Sequence, residues 1–248
     1  MGLLEGRTAV VTGGSTGIGL AAARSFAAEG AHVFVTGRRP EKLEKAVAAI
    51  GGDAHATAVP GDVSIAADVD RLYERVRERG LGLDVLFANA GVNHLATLEE
   101  LTEEAHDRVF ATNVKGVVLT VQKALPLLND GASVILTSST AATNGMAGLG
   151  AYGASKAAVR AYARTWTNEL RGRGIRVNAI SPGPTDTPMF DILGEDAREM
   201  KAAIAAGLPA QRLADPDELA AAVTFLASPR SSFVYGADIV VDGGELVA

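Results

Sequence analysis

The 248-residue chain contains no cysteine. That absence removes disulfides, thiolate nucleophiles, iron–sulfur clusters and cysteine zinc sites together, and it suits a reducing cytosol, so a cytoplasmic location is expected. Histidine is scarce too: His32, His55, His94 and His106 lie too far apart for a local ligand motif, and no metal is expected. Basic charge is not in excess. Lys and Arg number 23 against 29 Asp and Glu, a net charge of −6 that argues against nucleic acid as a partner, because binders of a phosphate backbone usually show a clustered basic face. The longest uncharged stretch, 131–155, is rich in Ser, Thr and Gly, so no membrane span is expected. Glu5 and Arg7 interrupt Met1 to Val11, which does not read as a signal peptide, and Gly6 stands where a myristoylation motif carries Ser or Thr. No linker, repeat or low-complexity tract divides the chain, and one domain over 1–248 is expected.

What is present is a core and a rhythm. With 48% hydrophobic and 21% charged residues, the chain can bury roughly three-quarters of its unfolded surface, which excludes disorder as the main state. Short apolar runs predict seven strands: Thr8 to Thr12, His32 to Thr36, His55 to Val59, Leu83 to Ala88, Ser133 to Thr137, Ile175 to Ile180 and Asp238 to Val241. Their apolarity is continuous rather than alternating, so both faces are covered, and a mainly parallel sheet between helices follows: a doubly wound α/β fold. Pro40 opens one helix, and Asp215-Pro216-Asp217-Glu218 has the capping-box arrangement of another. From Pro184 to Leu208 the strand–helix rhythm breaks, and this segment is read as a lid.

After the first strand comes Thr12-Gly13-Gly14-Ser15-Thr16-Gly17-Ile18-Gly19 and then a helix. Glycines there permit a tight turn, close approach to a pyrophosphate and close helix packing, while the helix-start amides attract negative charge. The bland alternative is a glycine-rich turn in a glycine-rich chain. No lysine closes the loop, so a Walker-type nucleotide triphosphatase does not fit, whereas a dinucleotide does. At the end of the second strand, where an acid would hold the adenosine ribose 2′-hydroxyl, the chain has Gly37-Arg38-Arg39, which favours NADP(H) over NAD(H). The alternative is a solvated arginine pair.

Tyr152-Gly153-Ala154-Ser155-Lys156 opens another helix. A spacing of four puts Tyr152 and Lys156 on one face, where the ammonium is expected to lower the phenol's pKa and make it a general acid/base. Ser139, at the carboxyl end of the fifth strand, is placed to hold a substrate oxygen.

With these residues in view, the chain resembles the single-domain short-chain dehydrogenases/reductases, proteins with a Rossmann-type sheet. The resemblance covers nearly the whole length: TGGSTGIG at 12–19, Asp62-Val63, Asn89-Ala90-Gly91, Asn113, Ser139, Tyr152 with Lys156, and Pro182-Gly183 stand in family order. It implies that Tyr152 moves the proton, Ser139 positions the oxygen, Lys156 holds the nicotinamide ribose and Asn113 keeps a water in relay to the lysine. It also implies a cofactor site of Gly13, Ser15, Thr16, Gly17, Ile18, Gly19, Arg38, Asp62, Val63, Asn89, Ala90, Gly91, Tyr152, Lys156, Pro182, Gly183, Thr185 and Thr187, and a homotetramer. Thr185 replaces an aliphatic residue found in many relatives, and Ser138 offers a second hydroxyl beside Ser139, which leaves the carboxamide contact open. For three residues a plainer reading stands beside this: Asn113 bends or caps a helix turn, Asp62 makes a turn before Ser64, and Thr187 merely precedes Pro188.

Met146, Leu149, Leu95, Phe190, Ile192 and Leu193 are expected to face the substrate, implying a hydrophobic secondary alcohol or ketone. His94 is read as a solvated loop residue. The rival classes are a non-catalytic nucleotide sensor, which would not need Ser139, Tyr152 and Lys156 together, and a lyase or epimerase that retains its cofactor.

Overall fold

A computed structural model describes residues 2–190 and 197–247. Ile192 and Leu193, expected in the lid, lie outside the described residues. Seven strands form one parallel sheet in the order β3-β2-β1-β4-β5-β6-β7: β1 Thr8–Thr12, β2 His32–Gly37, β3 Ala56–Pro60, β4 Leu83–Ala88, β5 Leu128–Thr137, β6 Arg176–Pro182 and β7 Asp238–Val241. The helices are α1 Gly17–Ala28, α2 Pro40–Ile50, α3 Ala66–Glu78, α4 Glu103–Phe110, α5 Gly116–Ala124, α6 Gly150–Leu170, α7 Ala197–Gly207 and α8 Pro216–Ala227.

Successive side chains of a strand point to opposite faces, and the two halves of the core show it. Val85, Phe87 and Ile135 pack with α1, α2 and α8, while Leu86, Val134 and Leu136 pack with α3, α5 and α6. Every residue of β1, β4 and β6 is buried, as an apolar run without alternation requires, whereas the edge strands β3 and β7 are only partly buried. The sheet is therefore doubly wound, and chain order reverses between β1 and β4. Ligands of such sheets bind outside the carboxyl ends of the strands at that reversal.

Four strands run beyond their apolar cores, β2 by Gly37 alone. β5 begins at Leu128 rather than Ser133 because Leu128 pairs with Leu83, and ladder bonding at the sheet's end carries the polar Asn129 and Asp130 along. β6 continues through Pro182, which pairs with Val241. β3 ends on Pro60, whose missing N–H is tolerated because β3 is an edge strand. The capping box of α8 forms as the sequence specifies, with Asp217 N–H donating to Asp215 and Glu218 accepting from the Asp215 N–H.

At the amino ends of the strands, Asp84 is buried and accepts from Arg7 Nη1 (2.7 Å), the Thr8 N–H (2.9 Å) and Asn129 Nδ2 (3.1 Å), tying β1, β4 and β5 together. Asp84→Ala leaves a buried strand amide without its acceptor, and a stability loss of about 2–3 kcal/mol is expected from urea unfolding. An unchanged midpoint would show that the amide finds another partner.

Candidate active site

The glycine loop is a cradle whose shape depends on missing Cβ atoms. Gly13 and Gly17 take positive φ of 65° and 55°, the region that favours glycine. A Cβ on Gly19 would lie 2.3 Å from the Gly13 carbonyl oxygen, and one on Gly14 would lie 2.9 Å from Val35 Cγ1. The loop thus folds tightly onto itself and onto β2, and the positive end of α1 faces the reversal crevice. Thr12 Oγ1 accepts from the Asn89 and Ala90 amides, both at 3.0 Å. Asn89 Nδ2 donates to the Thr12 carbonyl at 3.1 Å, and its Oδ1 accepts from Thr137 Oγ1 at 3.3 Å. These bonds join the carboxyl ends of β1, β4 and β5.

The other expected cofactor residues ring this cradle unevenly. Thr187 sits beside it: a Cβ on Gly17 would be 3.1 Å from Thr187 Cγ2. Thr185 is buried and donates its hydroxyl to the Gly183 carbonyl at 2.9 Å, so of the two threonines Thr187 is the one against the loop. Pro182 is buried at the end of β6, and Gly183 lies so close to Asp242 that a Cβ would approach its Cα to 2.6 Å. Arg38 is exposed just past Gly37, which itself faces Ser15. Asp62 makes a local turn, its Oδ1 accepting from Ser64 N–H (2.9 Å) and Oγ (2.7 Å), and Val63 packs on Gly116. The turn reading of Asp62 is thus realised; its second oxygen stays outside that turn.

Next to the cradle stand the titratable groups. Gly153 lets α6 press against the Ala141 carbonyl, to which a Cβ would come within 2.5 Å. Lys156, 2% exposed, donates from Nζ to the Thr137 carbonyl at 2.8 Å and lies 5.6 Å from the centre of the Tyr152 ring. Ser139 Oγ accepts from the Ala141 N–H at 3.2 Å and stands beside the Tyr152 phenol, where its hydroxyl favours the ionised form. Ser138 points the other way, donating to the Lys156 carbonyl at 3.1 Å, which leaves Ser139 as the hydroxyl beside the phenol. Asn113 sits in a π turn, Ala111–Lys115, between α4 and α5, so it does interrupt a helix. Its side chain grips the backbone of Val92 from both sides, accepting from N–H and donating to C=O at 2.9 Å each. Gly91 approaches both groups, since a Cβ there would lie 3.3 Å from Asn113 Oδ1 and from Lys156 Nζ.

The electrostatics correct one expectation. Burial holds the Tyr152 phenol above its ordinary value, and the Ser139 hydroxyl beside it opposes that rise. The group that moves toward neutrality is Lys156, which burial lowers from 10.5 to about 8. A neutral phenol beside an amine of nearly neutral proton affinity can give up a proton and regain it from its neighbour. For stability the sign is definite. An unfolded lysine keeps its proton to 10.5, so between pH 8 and 10.5 the unfolded chain binds more protons and stability rises with pH. Relative to Lys156→Met, the parent should gain on the order of 3 kcal/mol across this window; parallel stability curves would contradict the burial of a charged amine.

The described residues expected to face the substrate are apolar and wholly or partly exposed. The Ala96 N–H donates to the Gly148 carbonyl at 3.1 Å, bringing together the loops after β4 and β5, which carry the exposed Leu95 and Met146. Leu149 is partly buried at the start of α6. His94 Nδ1 lies 3.3 Å from the Arg108 guanidinium, a partner its sequence neighbourhood did not suggest. Phe190 lies under Lys201 Nζ, which is 5.4 Å from its ring centre and 2.6 Å from Asp186 Oδ1, so α7 is tied to the segment after β6. Thr12, Thr137 and Ser155 were not singled out in the sequence. The first two act at strand ends, where a hydroxyl looks like ordinary β-propensity, and only their flanking motifs hinted at them.

Comparison with known proteins agrees with this geometry. A family model described as enoyl-(acyl carrier protein) reductase matches residues 13–245. An oxidoreductase of Sarocladium schorii is 47% identical over 244 residues, covering 97% of this chain and 96% of its own. A 3-oxoacyl-(acyl-carrier-protein) reductase of Thermotoga maritima is 36% identical over 98% of this chain and 99% of its own. The crystal structure of a levodione reductase superposes with a TM-score of 0.94 at 32% identity, covering 99% of both chains. Glycine cradle, strand order and likeness over almost the full length converge: this chain belongs to the short-chain dehydrogenase/reductase family and is an NAD(P)-dependent oxidoreductase.

Proposed function

We propose that the protein interconverts a hydrophobic secondary alcohol and its ketone with NADP(H), with Tyr152 as general acid/base. The observation that carries this reading is the gathering of Ser139, the Tyr152 ring and Lys156, whose Nζ lies 5.6 Å from the ring centre, beside the Gly91 turn and the glycine cradle. The loop fits a dinucleotide because Gly13, Gly14, Gly17 and Gly19, where a Cβ would strike neighbouring protein atoms, let it turn tightly at the start of α1 as a pyrophosphate-binding turn requires. Bound there, the nicotinamide supplies or accepts a hydride at the substrate carbon. Ser139 orients the substrate oxygen, Tyr152 holds or takes the proton at that oxygen, and Lys156 restores it. Asn113 fixes Val92 and with it the turn beside Lys156.

Several further features support the finer parts of the reading. Gly37 offers no carboxylate and Arg38 is free to meet a 2′-phosphate, which favours NADP(H). Pro184 to Phe190 and α7 are read as parts of a lid over an apolar substrate, and Lys201, bridging Asp186 and Phe190, ties the two together. Relatives named as a 3-oxoacyl-(acyl-carrier-protein) reductase and a levodione reductase support a carbonyl substrate. Exposed Phe225, Phe233, Tyr235 and Val240 give α8, β7 and the connection between them exposed apolar side chains consistent with a homotetramer. The reading is tested with a panel of ketones and secondary alcohols, followed at the nicotinamide absorbance with both cofactors. Turnover of an apolar ketone, faster with NADPH, is expected; inertness of the whole panel would count against the reading.

A further inference from the structure

Ser155 is fully buried one residue before Lys156, and no part of the proposed chemistry uses it. Its hydroxyl has two partners. It donates to the Tyr152 carbonyl at 2.7 Å within α6, and it accepts from Asn113 Nδ2 at 3.0 Å across the helix interface. Asn113 meanwhile spends its remaining polar capacity on Val92, one residue past the Gly91 turn. A continuous run of hydrogen bonds therefore leads from the loop after β4, through Asn113 and Ser155, to the backbone of Tyr152. Among the described residues it is the one side-chain hydrogen bond joining Asn113 to α6. The π turn is what brings Asn113 into reach, because an extra residue in the helix rotates its side chain inward.

We propose that Ser155 is a positioning residue: by bridging the Asn113 amide and the Tyr152 carbonyl, it sets where the first turns of α6 carry the phenol relative to the loop after β4. This rests on the assignment of Tyr152 as the acid/base. A hydroxyl is required because the position needs both an acceptor for the amide and a donor for the carbonyl. Alanine fills most of the space but leaves a buried N–H of Asn113 unpaired and lets the helix start shift by fractions of an ångström, to which proton transfer is sensitive.

The test is a double-mutant cycle on the full-length protein with Ser155→Ala, Asn113→Ala and the double variant, alongside Tyr152→Phe. Ser155→Ala should lower kcat about tenfold and shift the pH profile of kcat, with KM for the cofactor unchanged. In the Asn113→Ala background the same change should cost less than about twofold, because the bridge is already cut. A full additive loss, or a lowered Tm with an unchanged kcat and pH profile, would reduce Ser155 to a packing residue. Should Ser155→Ala not yield folded protein, Ser155→Cys, with a weaker hydrogen-bonding group of similar size, carries the same expectation and the same refutation. If Tyr152→Phe itself keeps normal turnover, the acid/base assignment fails, and the positioning role falls with it. If only Ser155→Ala is silent, the assignment stands and the positioning role alone is overturned.

Discussion

Tyr152→Phe should lower turnover at least about a hundredfold while leaving cofactor affinity within a few-fold, the lower end of what a positioned general acid/base contributes. The substitution removes one oxygen and nothing else. Lys156 keeps its bond to the Thr137 carbonyl, and the glycine cradle is untouched, so binding should change only a few-fold even though Tyr152 belongs to the implied cofactor site. What is lost is the hydroxyl beside Ser139 that would pass a proton to a substrate oxygen held there. Because burial keeps that phenol protonated well above neutral pH, its loss should be felt most in ketone reduction, where a proton must be delivered. Steady-state kinetics in both directions, with cofactor affinity measured separately, decide the matter. Near-normal reduction by the Phe variant would move the acid/base role to another group.

The second large effect concerns cofactor choice. Charge-assisted contacts are worth roughly 1.5–3 kcal/mol, or about ten- to a hundredfold in specificity. Gly37→Asp with Arg38→Ser should shift kcat/KM by at least that factor towards NAD(H), through a new acceptor for the 2′-hydroxyl and repulsion of a 2′-phosphate. The structure leaves room for the change: Gly37 lies outside the positive-φ region, and a Cβ there would meet Ser15 Oγ at an ordinary 3.4 Å. A parent that already prefers NAD(H) would mean that Arg38 stays in solvent and that the loop backbone holds the ribose. The acid/base reading would survive that result.

Much of this arrangement was legible before any coordinates. β1, β4 and β7 fall on the limits their apolar runs imply, and Pro40 and the Asp215 capping box place two helix starts. Such features are local, written within a few residues. Strand ends were less legible, because ladder bonding recruits Asn129, Asp130 and Pro182 without needing apolar side chains. The site divided in the same way. Spacing alone put Tyr152 and Lys156 on one face, and the strand-end position marked Ser139. Only three dimensions show that Ser138 turns away, that Thr185 is spent on Gly183, and that burial shifts the lysine down while it raises the phenol. Desolvation depends on everything packed around a group, and a four-residue spacing carries no such information.

Where the hydrogen goes separates hydride transfer from its rivals. With the cofactor deuterated at the reactive carbon of its nicotinamide ring and an apolar ketone that the enzyme turns over, the product alcohol can be examined by mass spectrometry while cofactor oxidation is followed by absorbance. The expected result is one deuterium on the carbinol carbon for each cofactor oxidised. Substrate consumed with the deuterium retained on the cofactor, and no net change in absorbance, would contradict the account and identify a lyase or epimerase instead.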